Sequence, residues 1–122
     1  MGRVVLARNT GFGAPTFPYD VSAATLDPAI SRQSNSLAVY PANFSSVAFY
    51  EQPNFGGDAL VITRAGSIRD LSNTQWGNWA NRIASIQIGA QVNQLVDEVK
   101  KGHRPSKGVT IVDKPPDDPP SA

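Results

Sequence analysis

Residues 47–89, VAFYEQPNFGGDALVITRAGSIRDLSNTQWGNWANRIASIQIG, contain the pattern that decides the fold. An apolar run opens this stretch, a Pro-Asn turn and a Phe-Gly-Gly follow, and a second apolar run comes soon after them. A polar loop with two tryptophans then leads to a closing segment in which apolar and polar side chains alternate. Short runs of this kind, separated by proline, asparagine and glycine, are typical of β-strands joined by tight turns. The stretch therefore predicts an all-β domain.

The same signals predict where the individual strands lie. Strands are predicted at 3–7, 36–40, 47–50, 58–63, 82–88 and 108–112. The segment 14–21 contains Pro15 and Pro18, so a strand there must lie at the edge of a sheet or be broken. In the polar loop, Trp76 and Trp79 are expected to anchor the chain to the core, because indoles bury large apolar surfaces.

Residues 3–40 form a degenerate copy of residues 47–89, which predicts an internal repeat. The similar segments are 4–13 with 47–56, and 35–39 with 84–88. The second copy is about six residues longer because of its tryptophan-containing loop. The sequence thus predicts two copies of one four-strand unit. The alternative is that residues 1–35 form an extended arm.

Beyond residue 89 the pattern changes to that of a helix followed by a tail. An apolar stripe at i, i+3, i+4 and i+7 predicts an amphipathic helix over 90–102, with Gly102 as its C-terminal cap. The stripe residues are Val92, Leu95, Val96 and Val99. Because a helix of this length is only marginally stable on its own, the stripe must pack either on the β-domain or on another chain. We assign it to partner binding and predict that the proline-rich remainder, 103–122, is an extended tail.

Three residues near the start of the deciding stretch resemble the Greek-key motif of the βγ-crystallins. That motif consists of an aromatic residue, four residues, a second aromatic, one residue and a glycine, which here are Tyr50, Phe55 and Gly57. In a folded β-hairpin of this type, the glycine takes a backbone conformation that a Cβ would strain. The first aromatic ring packs over the turn.

The resemblance extends to serines that follow the hairpin. In that family a later serine ties the hairpin down, and Ser67 is the candidate, while Ser85 belongs to the closing strand. The family resemblance implies an all-β fold, a two-Greek-key β-sandwich over residues 1–89, with the short helix and extended tail after it. The first copy departs from the motif, because Ala7 and Ala14 stand at the aromatic and glycine positions.

Many microbial members of that family bind calcium, so calcium is the one cofactor that the resemblance brings into question. Their site uses an Asn/Asp pair, two residues, then Ser/Thr and Ser, and the aligned run here is 80–85. Only Asn81 and Ser85 remain as candidate ligands, since Ala84 lacks the hydroxyl. In the first copy, Arg32 stands where an acidic or amide ligand is required. We therefore predict no metal site and no cofactor.

The composition excludes several classes of function. The chain has 122 residues, a formal net charge of +1 and no cysteine. Near-neutral charge removes the simplest argument for nucleic acid or an acidic membrane surface as a partner. The lack of cysteine excludes disulfides and thiolate metal sites. The N-terminal segment has only a short apolar run, so neither a signal peptide nor a membrane span is predicted, and the expected location is the cytoplasm or a virion.

No constellation of catalytic side chains is evident in the sequence. His103 is the only histidine, and it lies in the basic segment beyond the predicted domain. The acidic residues are scattered, and no spacing forces two of them together as a pair of catalytic carboxylates. We therefore predict that the protein is not an enzyme.

Three functions were compared on this basis. The favoured one is a structural or interaction protein, a small subunit of a large assembly such as a virion. There it would be a minor or decorating capsid or tail protein whose C-terminal extension binds other subunits in a homo- or hetero-oligomer. The alternative is a calcium-binding domain of the βγ-crystallin type. The third is a protease inhibitor, since some inhibitors share this fold, although those are expected to be secreted and disulfide-bonded.

Overall fold

In the computed structural model of the chain, residues 3–40, 46–102, 108–113 and 115–116 are described. The strands are β1 (Arg3–Ala7), β2 (Thr16–Tyr19), β3 (Ser36–Tyr40), β4 (Val47–Gln52), β5 (Gly56–Ile62), β6 (Gly66–Ile68), β7 (Ser85–Ile88) and β8 (Val109–Val112). One α-helix, α1 (Ala90–Lys100), lies between β7 and β8, and single 3₁₀ turns at Thr10–Phe12 and Pro53–Phe55 follow β1 and β4. The predicted all-β class with a short C-terminal helix is confirmed. Across the described residues, no helix has both the length and the apolar character needed to cross a membrane.

The strands form two four-stranded sheets, and one strand crosses from the second half of the chain to the sheet of the first half. The sheet orders are β2-β1-β3-β6 and β7-β4-β5-β8. The crossing strand is β6, which pairs antiparallel with β3 so that Leu37 lies opposite Ile68. Strand β2, which contains Pro18, lies at the edge of its sheet, where a missing N–H breaks no ladder. The crossing joins the two halves in one sandwich.

Side chains that alternate along the strands form the core between the two sheets. In β4, Val47 and Phe49 face this core, whereas Tyr50 belongs to a second cluster on the other side of the sheet. Trp79 is buried in the core and Trp76 packs against its border. The polar loop is therefore anchored by both indoles, as expected from their large apolar surfaces.

Both halves contain the same folded hairpin, although the first half lacks the first aromatic and the glycine of the motif. Gly11 and Phe12 have φ values of 66° and 64°, and Asn54 and Phe55 have 59° and 60°. Two successive residues in the left-handed region turn the chain sharply back at equivalent places. Strand β1 also pairs along its whole length with β3. The alternative that residues 1–35 form an extended arm is therefore wrong for the described part of that segment.

Helix α1 packs on the outer face of the second sheet of its own chain. Val92 is fully buried, and Leu95 and Val96 are each 8% exposed. The sheet residues in the same cluster are Ala48, Tyr50, Ala59 and Val61, and Val99 packs at its border. The assignment of Val92, Leu95, Val96 and Val99 to a partner chain is thus corrected, because the sheet presents its own apolar face to this stripe. Gly102, with φ of 77°, donates its N–H to Val99 O as the predicted cap.

Part of the predicted tail is a strand of the second sheet. Strand β8 pairs parallel with β5, and Ala59 lies opposite Val109. Asp113, just after this strand, accepts hydrogen bonds from the Thr63 hydroxyl at 2.8 Å and from the Lys100 ammonium at 3.1 Å. The strand predicted at 108–112 is thus present at Val109–Val112, and the assignment of all of 103–122 to an extended tail is corrected there. His103 and most of the proline-rich terminus lie outside the described residues.

Replacing Leu95 by alanine is expected to lower the free energy of unfolding by about 2–3 kcal/mol, because a buried leucine loses its contacts and leaves a cavity. Gln91→Ala is the matched control, since Gln91 is exposed on the same helix, and it is expected to change stability by less than about 0.5 kcal/mol. Urea denaturation followed by tryptophan fluorescence measures both variants. Equal effects would show that α1 adds nothing through its contact with the sheet.

Candidate functional site

The hydroxyl of Ser85, at the start of β7, holds the folded hairpin of the second half. This side chain is fully buried. Its hydroxyl donates to the carbonyl of Gln52 at 2.7 Å and accepts from the N–H of Phe55 at 3.1 Å. Both backbone groups belong to the turn between β4 and β5, where a strand ladder does not satisfy them. Ser85 therefore ties this turn to β7.

Ser36 makes the equivalent bonds in the first half. Its hydroxyl donates to Asn9 O at 2.6 Å and accepts from the N–H of Phe12 at 3.1 Å. Ser67, by contrast, lies in β6, opposite Ala38 of β3 and in the sheet of the first half. The assignment of Ser67 as the residue that ties down the hairpin is corrected, because Ser85 occupies that place. Ser36 and Ser85 occupy matching positions in the repeat, and this match was the sequence signal that identifies Ser85 as the tying residue.

The three motif residues lie together around the same turn. The rings of Tyr50 and Phe55 meet edge to face with centroids 5.8 Å apart, and the Tyr50 hydroxyl donates to Gln87 Oε1 at 3.0 Å. Gly57 has φ of 76°, and a Cβ there would lie 2.6 Å from Cγ of Glu51. Glycine is thus required both by the backbone conformation and by the close approach of a side chain.

The loops that precede β3 and β7 close on each other by reciprocal backbone hydrogen bonds. The N–H of Arg32 donates to Ile83 O at 2.8 Å, and the N–H of Asn81 donates to Ser34 O at 2.9 Å. Both donors have positive φ, 58° for Arg32 and 61° for Asn81. These are the loops to which the family resemblance assigns a cation. They form a pseudo-symmetric pair in which each loop supports the other.

An ion-pair network lines the cleft beside the second loop. Arg82 Nη2 lies 2.6 Å from Glu51 Oε2 and 3.6 Å from Asp58 Oδ2, and its guanidinium carbon is 4.4 Å from the ring centroid of Trp79. The hydrogen bond from Arg82, together with one from the backbone N–H of Asp58, lowers the pKa of Glu51 from its usual value of 4.5. The guanidinium thus supplies the positive charge next to these carboxylates.

The two candidate metal ligands are already engaged by protein groups. The amide of Asn35 donates to Arg8 O at 2.6 Å and approaches Asn81 Oδ1 at 3.4 Å. The Ser85 hydroxyl is used by the hairpin. Calcium needs six to eight oxygen ligands, several of them charged, and the described part of the chain has no group of three or more His, Cys, Asp or Glu that could hold a metal. The residues therefore do not fit a calcium ion.

The network of Glu51, Trp79 and Arg82 was not recognised from the sequence. Arg82 follows Trp79 by three residues, which places a cation near an indole and was a usable signal. Glu51 lies far from both along the chain. Its position beside Arg82 depends on the pairing of β4 with β7, in which Tyr50 lies opposite Ser85.

Ser85→Ala is expected to lower the free energy of unfolding by about 1–3 kcal/mol, because two backbone groups of the buried turn lose their partner. Ser36→Ala is expected to have a similar effect. Ser31→Ala is the control, because the Ser31 hydroxyl makes no hydrogen bond within the described residues and lies in a half-buried loop position. Chemical denaturation compares the three variants. A loss for Ser85→Ala no greater than that for Ser31→Ala would contradict the role of the tie.

The pKa of Glu51 predicts how stability depends on pH. A carboxyl whose pKa is lowered in the folded state stabilises the fold above its unfolded pKa, and this contribution is lost as the pH falls through the folded pKa. We expect Arg82→Gln to lower stability at pH 7 by about 1 kcal/mol, since the pair is partly exposed and the ring contact is also lost. The variant should also lose less stability than the wild type between pH 7 and pH 3.

Urea denaturation at the two pH values measures this difference. Arg8→Gln is the control, because Arg8 is exposed and forms no ion pair among the described residues. The residual pH dependence in Arg82→Gln is expected from Asp113, whose pKa is lowered by hydrogen bonds from Thr63 and Lys100. An unchanged pH profile in Arg82→Gln would exclude the ion pair as a source of stability.

Comparison by sequence finds no match, either to a protein-family model or to a curated protein. Comparison by structure finds βγ-crystallins. A βγ-crystallin from Ciona intestinalis has a TM-score of 0.58 and 15% sequence identity, over 71% of this chain and 99% of that one. A βγ-crystallin from an archaeon has a TM-score of 0.61 and 19% identity, over 72% of this chain and 98% of that one.

A third similar structure is a βγ-crystallin domain from Flavobacterium johnsoniae, with a TM-score of 0.53 and 17% identity. It is covered over 93% of its length, and the match spans 71% of this chain. Identities this low show the fold alone. The two-sheet sandwich, with its paired hairpins and tying serines, is thus a βγ-crystallin-like domain in fold, as the motif residues predicted.

Proposed function

We propose that this chain, which has a βγ-crystallin-like fold, is a non-enzymatic structural subunit of a larger protein assembly. In the form we favour, it is a minor or decorating capsid or tail protein of a virion and contacts other subunits through its C-terminal extension. The observation that carries the proposal is the free edge of β8, the strand that this extension adds to the second sheet.

Half of the backbone groups of β8 point away from the sheet. The N–H of Ala59 donates to Gly108 O at 2.7 Å and the N–H of Thr63 donates to Val112 O at 3.1 Å. Because successive residues of a strand point their backbone groups in opposite directions, those of Val109 and Ile111 face outward. An exposed row of N–H and C=O groups is a template for pairing with another chain.

The other sheet edges are protected by features that discourage such pairing. Strand β2 contains Pro18, and β6 has only three residues. The edge of β7 is covered by the segment around Ala23, which exchanges backbone hydrogen bonds with Ile86. Strand β8, with the sequence VTIV, has neither proline nor charge. Proteins commonly use those residues to block edge pairing, so β8 is the edge best suited to a partner.

The acidic residues near the paired loops support a non-enzymatic role. Glu51 and Asp58 both lie against Arg82, at 2.6 Å and 3.6 Å. A carboxylate held in this way, with a lowered pKa, is a poor general acid, and a catalytic pair requires two carboxyl groups with different pKa values. The charges at this site thus contribute to the scaffold.

The assembly role is tested by blocking the edge of β8. Val109→Pro removes an N–H that faces outward, so the hydrogen bonds between β8 and β5 are kept. Thr110→Pro is the comparison variant, because it removes an N–H that faces β5. We expect the full chain to self-associate between about 10 µM and 1 mM, because an antiparallel strand pair is self-complementary about a two-fold axis. Val109→Pro should remain folded and monomeric, and Thr110→Pro should be destabilised.

Sedimentation velocity and near-ultraviolet circular dichroism measure association and folding. A wild-type chain that is monomeric at every concentration, and that is absent from the sedimented particles of its source, would contradict the proposal. Association that persists in Val109→Pro would place the contact elsewhere than at the β8 edge.

Calcium binding of the βγ-crystallin type is the alternative function, and the shared fold is the observation that favours it. The engaged oxygens of Asn81 and Ser85 oppose it. We expect no binding heat and no shift in melting temperature at about 1 mM calcium, the weak end of protein calcium sites. The double variant Ala80→Asp with Ala84→Ser restores the two missing ligand types and is the comparison for calorimetry. A saturable wild-type heat would establish the alternative.

A further inference from the structure

A groove of about 380 Å³ lies where the end of β6 meets the tryptophan loop and the last described residues of the chain. Its walls include Ile68, Arg69, Asn73, Trp76 and Pro116. The buried Ile68 and the half-buried indole give it an apolar floor. Concave apolar surfaces with a few polar groups at the rim are the usual form of a peptide or ligand site.

The loop that carries Trp76 is held in shape by its own hydrogen bonds. Asp70 Oδ1 accepts from the N–H of Ser72 at 3.0 Å, and Thr74 Oγ1 accepts from the N–H of Trp76 at 3.2 Å. The backbone next to the groove is fixed as well, because Arg69 O accepts from the N–H of Gly11 at 2.8 Å. The groove is thus formed before any ligand enters.

The charge at the rim indicates what the groove can bind. Arg69 is exposed and forms no ion pair with the described residues. Asp70 is engaged in its own turn by Ser72. An exposed guanidinium next to an indole favours an acidic segment that also presents a flat apolar ring. Proline supplies such a ring, and it stacks on aromatic side chains in a pre-formed extended conformation.

The sequence of the chain continues from the groove wall with such a segment. Pro115 is buried and Pro116 forms part of the groove wall. The residues that follow are Asp-Asp-Pro-Pro at 117–120. Pro119 follows Pro116 by three residues, the number in one turn of a polyproline II helix, and the two aspartates stand between them in the sequence.

We infer that this groove is a binding site for an acidic, proline-rich peptide, and that its occupant is segment 117–120 of the same chain. The same chain is favoured over a second copy because Pro116 already lies in the groove wall, so the next residues are present at a high effective concentration. This site goes beyond the proposed assembly role and does not depend on it, since the β8 edge and the groove involve different residues.

The test follows the two indole N–H signals in nitrogen-15 NMR spectra. The signals are assigned with Trp76→Phe. In a chain that ends at Pro116, which keeps the groove wall, the Trp76 signal is expected to shift while the Trp79 signal keeps its position, because Trp79 is buried in the core. A peptide with the sequence of residues 117–122 should return the Trp76 signal of the shortened chain toward its position in the full chain. The same peptide should bind the full chain at least about tenfold more weakly, since the groove is occupied.

Charge exchange tests the role of the rim. Arg69→Glu in the shortened chain is expected to weaken peptide binding by up to about fivefold, equivalent to one exposed ion pair. A peptide with both aspartates replaced by lysine should bind Arg69→Glu better than the wild type. Arg64→Glu is the matched control, because Arg64 is an exposed arginine that is not among the groove residues.

Three results would overturn the inference. In the first, the Trp76 signal is unchanged when residues 117–122 are removed. In the second, the peptide fails to shift that signal at millimolar concentration. In the third, the Trp76 signal of the full chain changes with protein concentration, which would assign the groove to the tail of a second copy. Unlike these results, failure of the full chain to self-associate would count against the assembly role and would leave the groove unaffected.

Discussion

The buried hydroxyl that closes each Greek key, from Ser36 in the first half and Ser85 in the second, is the constraint on which the fold depends. A turn built from two successive positive-φ residues leaves backbone groups that no neighbouring strand satisfies. Each hydroxyl donates to one of them and accepts from another. The first half has lost the first aromatic and the glycine of the motif but keeps Phe12, its serine and the same turn. The serine and the residue whose N–H it accepts are therefore what the two hairpins share.

The strands, the repeat and the hairpin motif could be predicted from the sequence because they depend on local patterns. Ser67 was mistaken for the tying residue because sequence spacing shows neither which strand passes beneath a turn nor that β6 crosses to the other sheet. The internal repeat identifies the correct residue. Ser36 and Ser85 occupy equivalent positions at the start of β3 and β7, so the serine that ties the second turn is the one that matches Ser36.

The sequence of α1 alone could not show which surface buries its apolar stripe. Its spacing establishes that one face must be buried but does not identify the surface that buries it. The sequence of β5 indicates that surface. Its last four residues, Ala59 to Ile62, are all apolar and all buried, and a strand that is apolar on both faces is covered on both faces. The outer face of this sheet therefore required a covering element, and the helix that follows β7 supplies it.

The acidic side chains beside the paired loops are balanced by a residue of the chain itself. Two carboxylates close together repel each other unless a cation lies between them, and a bound ion or an arginine can supply that charge. Here Arg82 supplies it, stacked on Trp79 and within 2.6 Å of Glu51. A guanidinium that is part of the chain cannot dissociate, so these two carboxylates have a cation beside them without a bound ion. The C-terminal extension lies at the periphery of this sandwich, where it adds β8 as an edge strand and Pro116 to the wall of the apolar groove.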